Sequence, residues 1–374
     1  MRILHVSTLY ECDNVGGLEL AVKKVAEAQA RLGHEVMVLA RDCKLHSHSL
    51  LKEVNRVKIH RIKSLSVYSP YLTFPLESFD DGVFKSVDIV HGWGGQNYYF
   101  VYKALKKAKD FDKKTVNYFI GVDYLRYHYN PFMRFFGYLY QKNLTKRVSK
   151  LVDLALVTNE YEKYILEKIY KKKAIVLSHG VDEIYINTPN LAQLFRERYK
   201  IPESSKIIAY IGRIHKTKGL DILIRSFKKI AEEIKDVELI IAGKGDATYL
   251  NRCLKIAKKL NINKKIRYLG FISEEDKIGL IDAADVVVLP TRHAGESYPL
   301  IMDEVRARGK KLLAFSVNPS IASYNFVIPV KGMEDLITKI LEILEFKNNK
   351  LKDQSKPLLW DEIALKLVNL YENI

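Results

Sequence analysis

Two acidic side chains, Glu296 and Glu304, stand in the stretch TRHAGESYPLIMDE. The stretch follows ADVVVLP, an apolar run typical of a buried strand, so the first acid should lie where a strand gives way to a helix. A helix N-terminus attracts anions. Carboxylates accept hydrogen bonds from hydroxyl groups. The pair therefore suits sugar hydroxyls beside a bound phosphate, unless the two acids simply cap an ordinary surface helix.

A second candidate loop, YIGRIHKTKGLDIL, places Arg213, Lys216 and Lys218 between a predicted strand and a predicted helix. Arginine offers phosphate oxygens a planar fork, and lysine offers them a compact charge. The loop predicts a diphosphate site, although incidental lysines in a basic chain are the alternative. The run LIIAGKGD adds Gly243 and Gly245 after another strand, where glycine permits either close approach of a ligand or a tight turn.

Strand-like and helix-like segments alternate along both halves of the chain. The strand-like runs are RILHVS, EVMVLA, VDIVHGW, KTVNYFIG and LALVTN, then IIAYIG, VELIIAG, KIRYLGF and DVVVLP. Between the first two, Leu18, Val22, Val25 and Leu32 share one helical face that Gly33 should end. This alternation predicts two doubly wound α/β domains with sites beyond the carboxyl ends of their strands.

Length and composition agree with that organisation. A chain of 374 residues with 48% hydrophobic and 28% charged residues is expected to form two soluble globular domains. Three distant cysteines, Cys12, Cys43 and Cys253, predict reduced thiols in the cytoplasm rather than disulfides or a zinc site. The N-terminal run lacks the features of a signal peptide, and no apolar run reaches the length of a membrane span.

The positive charge is concentrated in one region. The whole chain has a formal net charge of +17, and residues 101–173 hold 17 Lys and Arg against 7 Asp and Glu. Within this region, residues 118–140 contain ten Phe and Tyr. Aromatic side chains beside cations suit a membrane interface with anionic lipid. The alternative is a core-packed helix with solvated lysines.

The motifs together resemble family 4 glycosyltransferases, which are retaining enzymes of the GT-B fold. The similarity runs through GGLELAVKKVAEAQARLGHEVMVL, SHGVDEIYI, IGRIHKTKGLDILIRSF, IAGKGD, IRYLGFISEEDKIGLIDAADVVVLPT, the E-x7-E spacing of Glu296 and Glu304, and WDEIALKLVNLYENI. It implies two Rossmann-like domains facing across a cleft. Residues 1–182 would bind the acceptor, 183–356 the nucleotide-sugar, and 357–374 would form a helix that crosses back to the first domain.

The resemblance also implies site residues. Arg213 and Lys218 would hold the donor diphosphate, Glu296 the donor sugar and Glu304 the ribose. The Gly16 and Gly17 loop would face the diphosphate across the cleft. The remaining donor-binding positions would be Gly212, Gly243, Leu269, Phe271, Ile272, Ser297, Tyr298, Pro299 and Leu300. The acceptor region would include His91, Gly121 and Asp123.

The chain also departs from the family pattern. Ile120 stands where many members have a histidine, and His179 replaces an asparagine. Asp110 and Asp112 have the D-x-D spacing of a manganese site, but they precede a strand and lie among lysines. The sequence therefore predicts no metal and no cofactor, with the nucleotide-sugar acting as a substrate.

Three functions remain open at this point. The first is sugar transfer from a UDP- or GDP-linked donor to a lipid-linked or membrane glycan, in the cytoplasm or at the inner face of the cell membrane. The second is a sugar-nucleotide epimerase of the same fold. The third is a non-catalytic protein that binds membrane or nucleic acid through its charge. No nucleic-acid-reading motif is recognisable, so nucleic acid is not expected as a partner.

Overall fold

The computed structural model describes residues 1–10, 16–42, 51–317, 319–345 and 355–374. Within it the chain forms two compact units, Met1–Gly180 with Leu358–Ile374, and Val181–Pro357. The boundary expected after residue 182 lies two residues from the first division. The boundary expected after residue 356 lies one residue from the second.

Two of the three cysteines, Cys12 and Cys43, fall outside the described residues. Cys253 is a buried free thiol, and burial raises its pKa to about 11.

The first unit is built on a mostly parallel sheet. Its described strands are β1 (Arg2–Val6), β2 (Glu35–Arg41), β3 (Leu51–Val54), β4 (Val57–Ile62), β5 (Ser64–Tyr68), β6 (Leu72–Pro75), β7 (Ile89–Trp93), β8 (Lys114–Phe119), β9 (Leu154–Val157) and β10 (Ile175–Val176). Eight of them form a sheet in the order β10-β9-β8-β7-β1-β2-β4-β3, and β5 pairs with β6 separately. β3 to β6 and β10 were not expected from the sequence, and β3 to β6 include two antiparallel pairs.

Helices cover this sheet. They are α1 (Gly17–Arg31), α2 (Asp81–Ser86), α3 (Tyr99–Asp110), α4 (Tyr138–Leu151) and α5 (Glu160–Tyr170), with a 3-10 turn at Tyr124–Tyr127 and a π turn at Met133–Gly137. The prediction for the end of α1 is confirmed. Gly33 has φ +89°, and the amides of Gly33 and His34 donate to the carbonyls of Ala30 and Gln29, which is a Schellman motif.

The second unit has six parallel strands. They are β11 (Lys206–Ile211), β12 (Val237–Ala242), β13 (Ile266–Gly270), β14 (Val286–Leu289), β15 (Leu312–Phe315) and β16 (Val327–Val330). Their spatial order is β13-β12-β11-β14-β15-β16. This is the 3-2-1-4-5-6 order of a Rossmann sheet, in which ligands bind where the order reverses. That reversal lies between β11 and β14.

Helices precede and connect the strands of the second unit. They are α6 (Ile184–Asn187), α7 (Ala192–Arg198), α8 (Leu220–Glu233), α9 (Ala247–Lys259), α10 (Glu274–Ala283), α11 (Ile301–Ala307), α12 (Pro319–Ala322) and α13 (Met333–Glu345). In α8 the apolar stripe of Leu220, Leu223, Ile224, Phe227 and Ile230 is fully buried. Each such side chain contributes about 1.5–3 kcal/mol to folding, so the stripe fixes α8 and the loop before it.

The last helix, α14 (Trp360–Glu372), belongs to the first unit, as the resemblance implied. It packs against α1, and Arg31 forms an ion pair with Asp361. Tyr371 reaches the core, where its hydroxyl lies 2.5 Å from Nδ1 of His91. The helix is therefore tied to the first sheet by a buried hydrogen bond as well as by apolar packing.

Candidate active site

The loops after β11 and β14 meet at the reversal of strand order in the second unit. The amide of Arg292 donates to the carbonyl of Thr217 at 2.7 Å, and the hydroxyl of Thr291 reaches the same carbonyl at 3.3 Å. These bonds join Gly212–Gly219 to Pro290–Leu300, the two segments that carry the predicted diphosphate and sugar contacts. Both segments lie beyond the carboxyl ends of their strands, where a doubly wound sheet binds ligands.

Glycine in these loops serves backbone packing. A Cβ added at Gly219, where φ is +70°, would lie 1.9 Å from the carbonyl oxygen of Pro290. At Gly243 it would lie 1.9 Å from the oxygen of Gly212, and at Gly245 2.0 Å from that of Ile214. The neighbouring loop by itself requires glycine at Gly243, and the role of Gly243 in donor binding stays a prediction. Gly212 differs, since a Cβ there would meet nothing within 4 Å.

Arg213 presents its side chain to solvent at the start of the first loop. Its carbonyl accepts a hydrogen bond from the buried Tyr210 hydroxyl at 2.9 Å, which fixes the backbone. Within the described part of the chain, its guanidinium has no hydrogen-bond or ion-pair partner. Burial, with further contributions from Arg213 and Lys216, lowers the pKa of nearby His215. The loop thus presents a cation whose five N–H donors remain available.

Lys218 and Glu296 form an ion pair between the two loops. The second carboxylate oxygen of Glu296 accepts a hydrogen bond from the hydroxyl of Thr291 at 2.9 Å. Burial opposes ionisation of Glu296, but the Lys218 ammonium and these hydrogen bonds outweigh it, so the pKa of Glu296 is lowered. The sequence analysis gave the two residues separate partners, diphosphate and sugar. The structure adds a direct contact between them.

The first turn of α8 is already satisfied within the protein. The amide of Asp221 donates to the hydroxyl of Tyr249 at 3.1 Å, and the amides of Ile222 and Leu223 donate to the carbonyl of Gly219. The Asp221 carboxylate pairs with Arg292 at 2.7 Å. The amides of Asp221, Ile222 and Leu223 and the Asp221 carboxylate are therefore engaged within the protein.

The segment after Glu296 enters its helix later than its sequence indicates. Pro299 suits the first turn of a helix, but α11 begins at Ile301 with Leu300 as its N-cap, so Pro299 precedes the helix. Ser297 and Tyr298 are buried, and the hydroxyl of Tyr298 donates to the Asp303 carboxylate. Burial raises the pKa of Asp303 to about 6. The Tyr298 bond to Asp303 links this irregular segment to the first turn of α11.

Glu304 lies in the first turn of α11 and not two turns along a longer helix. Its carboxylate is buried and lies 2.6 Å from the Lys277 ammonium. Burial raises the pKa of Glu304, Lys277 opposes the rise, and Glu274 and Asp182 add to it. Glu304 therefore gains a proton at a higher pH than an exposed glutamate does.

The predicted base-binding positions follow β13. Gly270 has φ +72°, and next to it the Phe271 ring is 71% exposed. The Lys244 ammonium lies over that ring, 5.0 Å from its centroid. Leu269 is half-buried and Ile272 is partly covered as well. The structure thus offers an exposed aromatic face beside the loop that follows β12.

Gly16 and Gly17 stand at the start of α1 in the first unit. The Gly16 amide donates to the Glu19 carboxylate at 2.9 Å, and a Cβ at Gly16 would lie 2.7 Å from the same carboxylate group. Gly17 is exposed. A larger residue at Gly16 would displace the Glu19 carboxylate from this capping position.

His91 lies in the interior of the first unit. Its ring is fully buried, stacks on Trp93 with centroids 4.8 Å apart and contacts the Tyr371 hydroxyl. Burial and the neighbouring His5 hold the pKa of His91 below its ordinary value. This position assigns His91 to core packing rather than to acceptor binding, which corrects the sequence-based expectation.

Gly121 and Asp123 form a rigid loop after β8. The Gly121 amide donates to the Glu162 carboxylate at 2.6 Å, and its φ of +71° requires a glycine. Asp123 is buried near the Tyr161 hydroxyl, at 3.3 Å. Burial raises the pKa of Asp123, with Arg126 opposing the rise. Gly121 and Asp123 thus share a loop, whereas His91, the third predicted acceptor position, lies in the core.

Two neighbours of the acids were not expected from the sequence: Thr291 beside Glu296 and Lys277 beside Glu304. Thr291 stands directly after the β14 segment, and its distance from Glu296 along the chain gave no sign of a hydrogen bond. Lys277 reaches Glu304 from α10, a separate helix. Within the described ranges, no group of three or more His, Cys, Asp or Glu could hold a metal ion. Nor is any helix of the described ranges long and apolar enough to cross a membrane.

Family models match almost the whole chain. The model described as Glycosyltransferase Family 4 matches residues 15–185, and the model described as Glycosyl transferases group 1 matches residues 192–356. The chain belongs to glycosyltransferase family 4. This glycosyltransferase has the GT-B fold, with one Rossmann-like sheet in each unit.

Individual proteins agree with this assignment. An uncharacterized glycosyltransferase of Methanocaldococcus jannaschii is 25% identical over 100% of this chain and 98% of its own length. Sucrose-phosphate synthase of Thermosynechococcus elongatus has a similar structure, with a TM-score of 0.78, 16% identity and coverage of 100% and 98%. HepE of Anabaena, solved in complex with UDP-glucose, has a TM-score of 0.75 with 15% identity, and the match covers both chains fully.

Proposed function

We propose that this glycosyltransferase moves a hexose, with retention of configuration, from a UDP- or GDP-linked donor to a lipid-linked or membrane glycan. The observation that carries the proposal is the switch-point cluster of the second unit. There, the exposed guanidinium of Arg213 stands in the same loop as Lys218, whose ammonium pairs with Glu296 of the loop after β14. A cation for phosphate and a carboxylate for hydroxyls are thus held on neighbouring loops.

The role of the cations follows from the charge that develops on the leaving group. Breaking the bond from the anomeric carbon to phosphate develops negative charge on the diphosphate, so cations fixed nearby stabilise the transition state more than the ground state. An ammonium has three N–H donors. Lys218 can therefore keep its bond to Glu296 and still donate to a phosphate oxygen. Each such contact contributes about 2.7–4 kcal/mol by analogy with oxyanion-hole donors.

The two glutamates have different tasks in this proposal. Glu296 stays ionised because its pKa is lowered, and its carboxylate accepts hydrogen bonds from hydroxyls of the donor sugar. Glu304 accepts hydrogen bonds from the ribose, with Lys277 holding the carboxylate in place. The backbone of Leu269, Phe271 and Ile272 contacts the base. HepE, a structural neighbour solved with UDP-glucose, supports a uridine donor among the candidates.

The first unit supplies the acceptor side of the reaction. We propose that Asp123, in the rigid loop after β8, contacts the acceptor, and that Gly16 and Gly17 contact the donor diphosphate. No metal takes part, since Arg213 and Lys218 provide the positive charge that a metal would provide. The enzyme acts in the cytoplasm, at the inner face of the cell membrane.

A binding and turnover panel tests the proposal. Thermal unfolding is followed with UDP, GDP and ADP and with the glucose or mannose derivative of each. We expect one nucleotide family to raise the midpoint of unfolding, and its sugar derivative to lose sugar slowly to water or to an added glycan. Isomerisation of the donor without transfer would favour an epimerase, and no shift with any nucleotide would contradict the proposal.

A further inference from the structure

A set of large apolar side chains in the first unit points into water. Tyr129 is 49% exposed, Phe132 63%, Phe135 63%, Phe136 54% and Leu139 51%. They lie within 11 residues that run through the π turn Met133–Gly137 into α4, and we call them the aromatic face. Single exposed apolar residues are normal, but a contiguous group of this kind marks an interaction site.

Cations continue the same exposed side of the helix. Arg126 precedes the aromatic residues, Arg134 lies among them, and Lys142, Lys146 and Arg147 follow Leu139 three, seven and eight residues along, all exposed. No Asp or Glu occurs between Asp123 and Asp153. The opposite side of α4 is buried through Gln141, Leu144, Thr145 and Val148. The exposed side therefore changes from aromatic to cationic along its length without an acidic side chain.

A second segment extends the aromatic face. In the hairpin of β5 and β6, Val67 is 68% exposed and Tyr68 37%. The hairpin contacts α4, because the Tyr140 hydroxyl donates to the carbonyl of Tyr71 at 2.9 Å, and the rings of Tyr68 and Tyr71 stack with centroids 5.8 Å apart. Two distant parts of the sequence thus contribute exposed apolar groups to adjacent parts of the surface.

We infer that the aromatic face and the cations beside it dock the protein on an anionic lipid bilayer. Aromatic rings settle at the depth of the lipid headgroups, and amphipathic helices of this composition lie in the interface, with cations over anionic headgroups. A second copy of the chain is a poor occupant. Pairing two of these faces would bring like charges together with no acid to offset them.

Docking would act directly on the proposed acceptor loop. The Gln141 side chain, in the first turn of α4, donates to the carbonyl of Gly121 at 2.8 Å and accepts from the amide of Leu125 at 2.9 Å. The helix that meets the lipid and the loop that carries Asp123 are therefore held together. This consequence rests on the proposed function, whereas lipid binding itself does not.

Flotation of the full chain with vesicles tests the inference. Vesicles of phosphatidylcholine alone are compared with vesicles that also contain phosphatidylglycerol. We expect binding to the anionic vesicles at low salt, weakening as salt shortens the Debye length from about 10 Å at 0.1 M to about 3 Å at 1 M. The triple variant Phe132→Ser, Phe135→Ser, Phe136→Ser and the triple variant Lys142→Gln, Lys146→Gln, Arg147→Gln should each bind at least about tenfold more weakly.

Matched controls come from exposed residues elsewhere. Leu365→Ser, on α14, controls for loss of an exposed apolar group, and Lys255→Gln, Lys258→Gln, Lys259→Gln, on α9, controls for loss of charge. Both should float like the wild type. All variants should keep the wild-type unfolding midpoint and nucleotide response, so that failure of lipid binding is distinguishable from failure of the proposed donor site.

A gain of signal provides an independent readout. In Phe136→Trp, the new indole replaces an exposed ring, while the native Trp93 and Trp360 are buried. Its fluorescence should shift to the blue with anionic vesicles and be quenched by brominated lipid. The inference is overturned if the wild type ignores anionic vesicles at low salt, if the Ser variant binds as well as the wild type, or if the face instead drives dimerisation that the Ser variant abolishes.

Discussion

Arg213 and Lys218 both follow β11, but their side chains differ in their contacts. The first is exposed, with no side-chain partner in the described ranges, and the second is paired with Glu296 across two loops. Residue types and spacing predict that both cations lie beside a phosphate, and this stays a prediction until a ligand is bound. The ion pair could not be predicted, because it depends on how the loops after β11 and β14 pack together.

Removing the exposed cation should affect the chemistry and spare the fold. We expect Arg213→Ala to lower the turnover number by about 100- to 1,000-fold, the effect of losing one electrostatic donor, in steady-state assays with the nucleotide-sugar that the panel identifies. Its stability should stay within about 0.5 kcal/mol of wild type, as is usual at surface positions. Arg225→Ala, at an exposed position of α8, is the control. Equal activity of the two variants would remove Arg213 from the diphosphate site.

Glu304 should give donor binding a dependence on pH. Its pKa is raised by burial, so acidification from neutral converts it to the neutral acid earlier than an exposed glutamate. The carboxylate that accepts ribose hydroxyls is then lost, and affinity for the nucleotide-sugar should fall. The same protonation relieves the cost of burying the charge, so folding stability should not fall with it.

Calorimetric titration at a series of pH values measures this effect. A nucleotide-sugar is used because the terminal phosphate of a free diphosphate titrates at a pKa of about 6. Glu304→Gln should bind more weakly at neutral pH and show a flatter profile, and Glu275→Gln, at a position exposed on α10, should match wild type. A wild-type profile in Glu304→Gln would assign the ribose contact elsewhere.

At the scale of elements, the long parallel strands and the ends of α1 could be predicted because their signals are local. Apolar runs and a glycine after a helical stripe depend on neighbours in sequence. The strands β3 to β6, β10, β15 and β16 were missed, since short strands carry little pattern of their own. The start of α11 was misplaced because the Tyr298 bond to Asp303 is a side-chain contact that a proline signal does not reveal.

The glycines of the site loops provide a test at this scale. We expect Gly243→Ala to destabilise the second unit and to abolish nucleotide binding, because its Cβ would lie 1.9 Å from a carbonyl oxygen and its φ is +137°. Gly332→Ala is the matched control, since nothing lies within 4 Å of its Cβ. Chemical denaturation with a nucleotide titration reports both effects. Tolerance of alanine at Gly243 would show that the loops do not pack as described.

At the scale of the whole molecule, the sequence predicted the return of α14 to the first unit through its resemblance to a family and not through any local signal. What that return does physically is visible only in the structure. Tyr371 places its hydroxyl against Nδ1 of the buried His91, and His179 contacts Trp360 of the same helix with ring centroids 5.9 Å apart. A residue near the C-terminus thus completes the first core.

Tyr371→Phe should therefore destabilise the first unit. The substitution leaves a buried ring nitrogen without its partner, which costs about 1–3 kcal/mol, and the unfolding transition of this unit should shift to lower temperature in calorimetry. Tyr164→Phe, at an exposed ring of α5, should have little effect, and nucleotide binding should persist in both. An unchanged transition in Tyr371→Phe would mean that the hydrogen bond contributes nothing to the packing of α14.

A crystal structure of the protein with its nucleotide-sugar would test the central claim most directly. We expect the diphosphate between the loops after β11 and β14, with the Arg213 guanidinium and the Lys218 ammonium within hydrogen-bond distance of its oxygens and the Glu296 carboxylate on the sugar. A nucleotide bound elsewhere, or a diphosphate held without contact to either cation, would contradict the account.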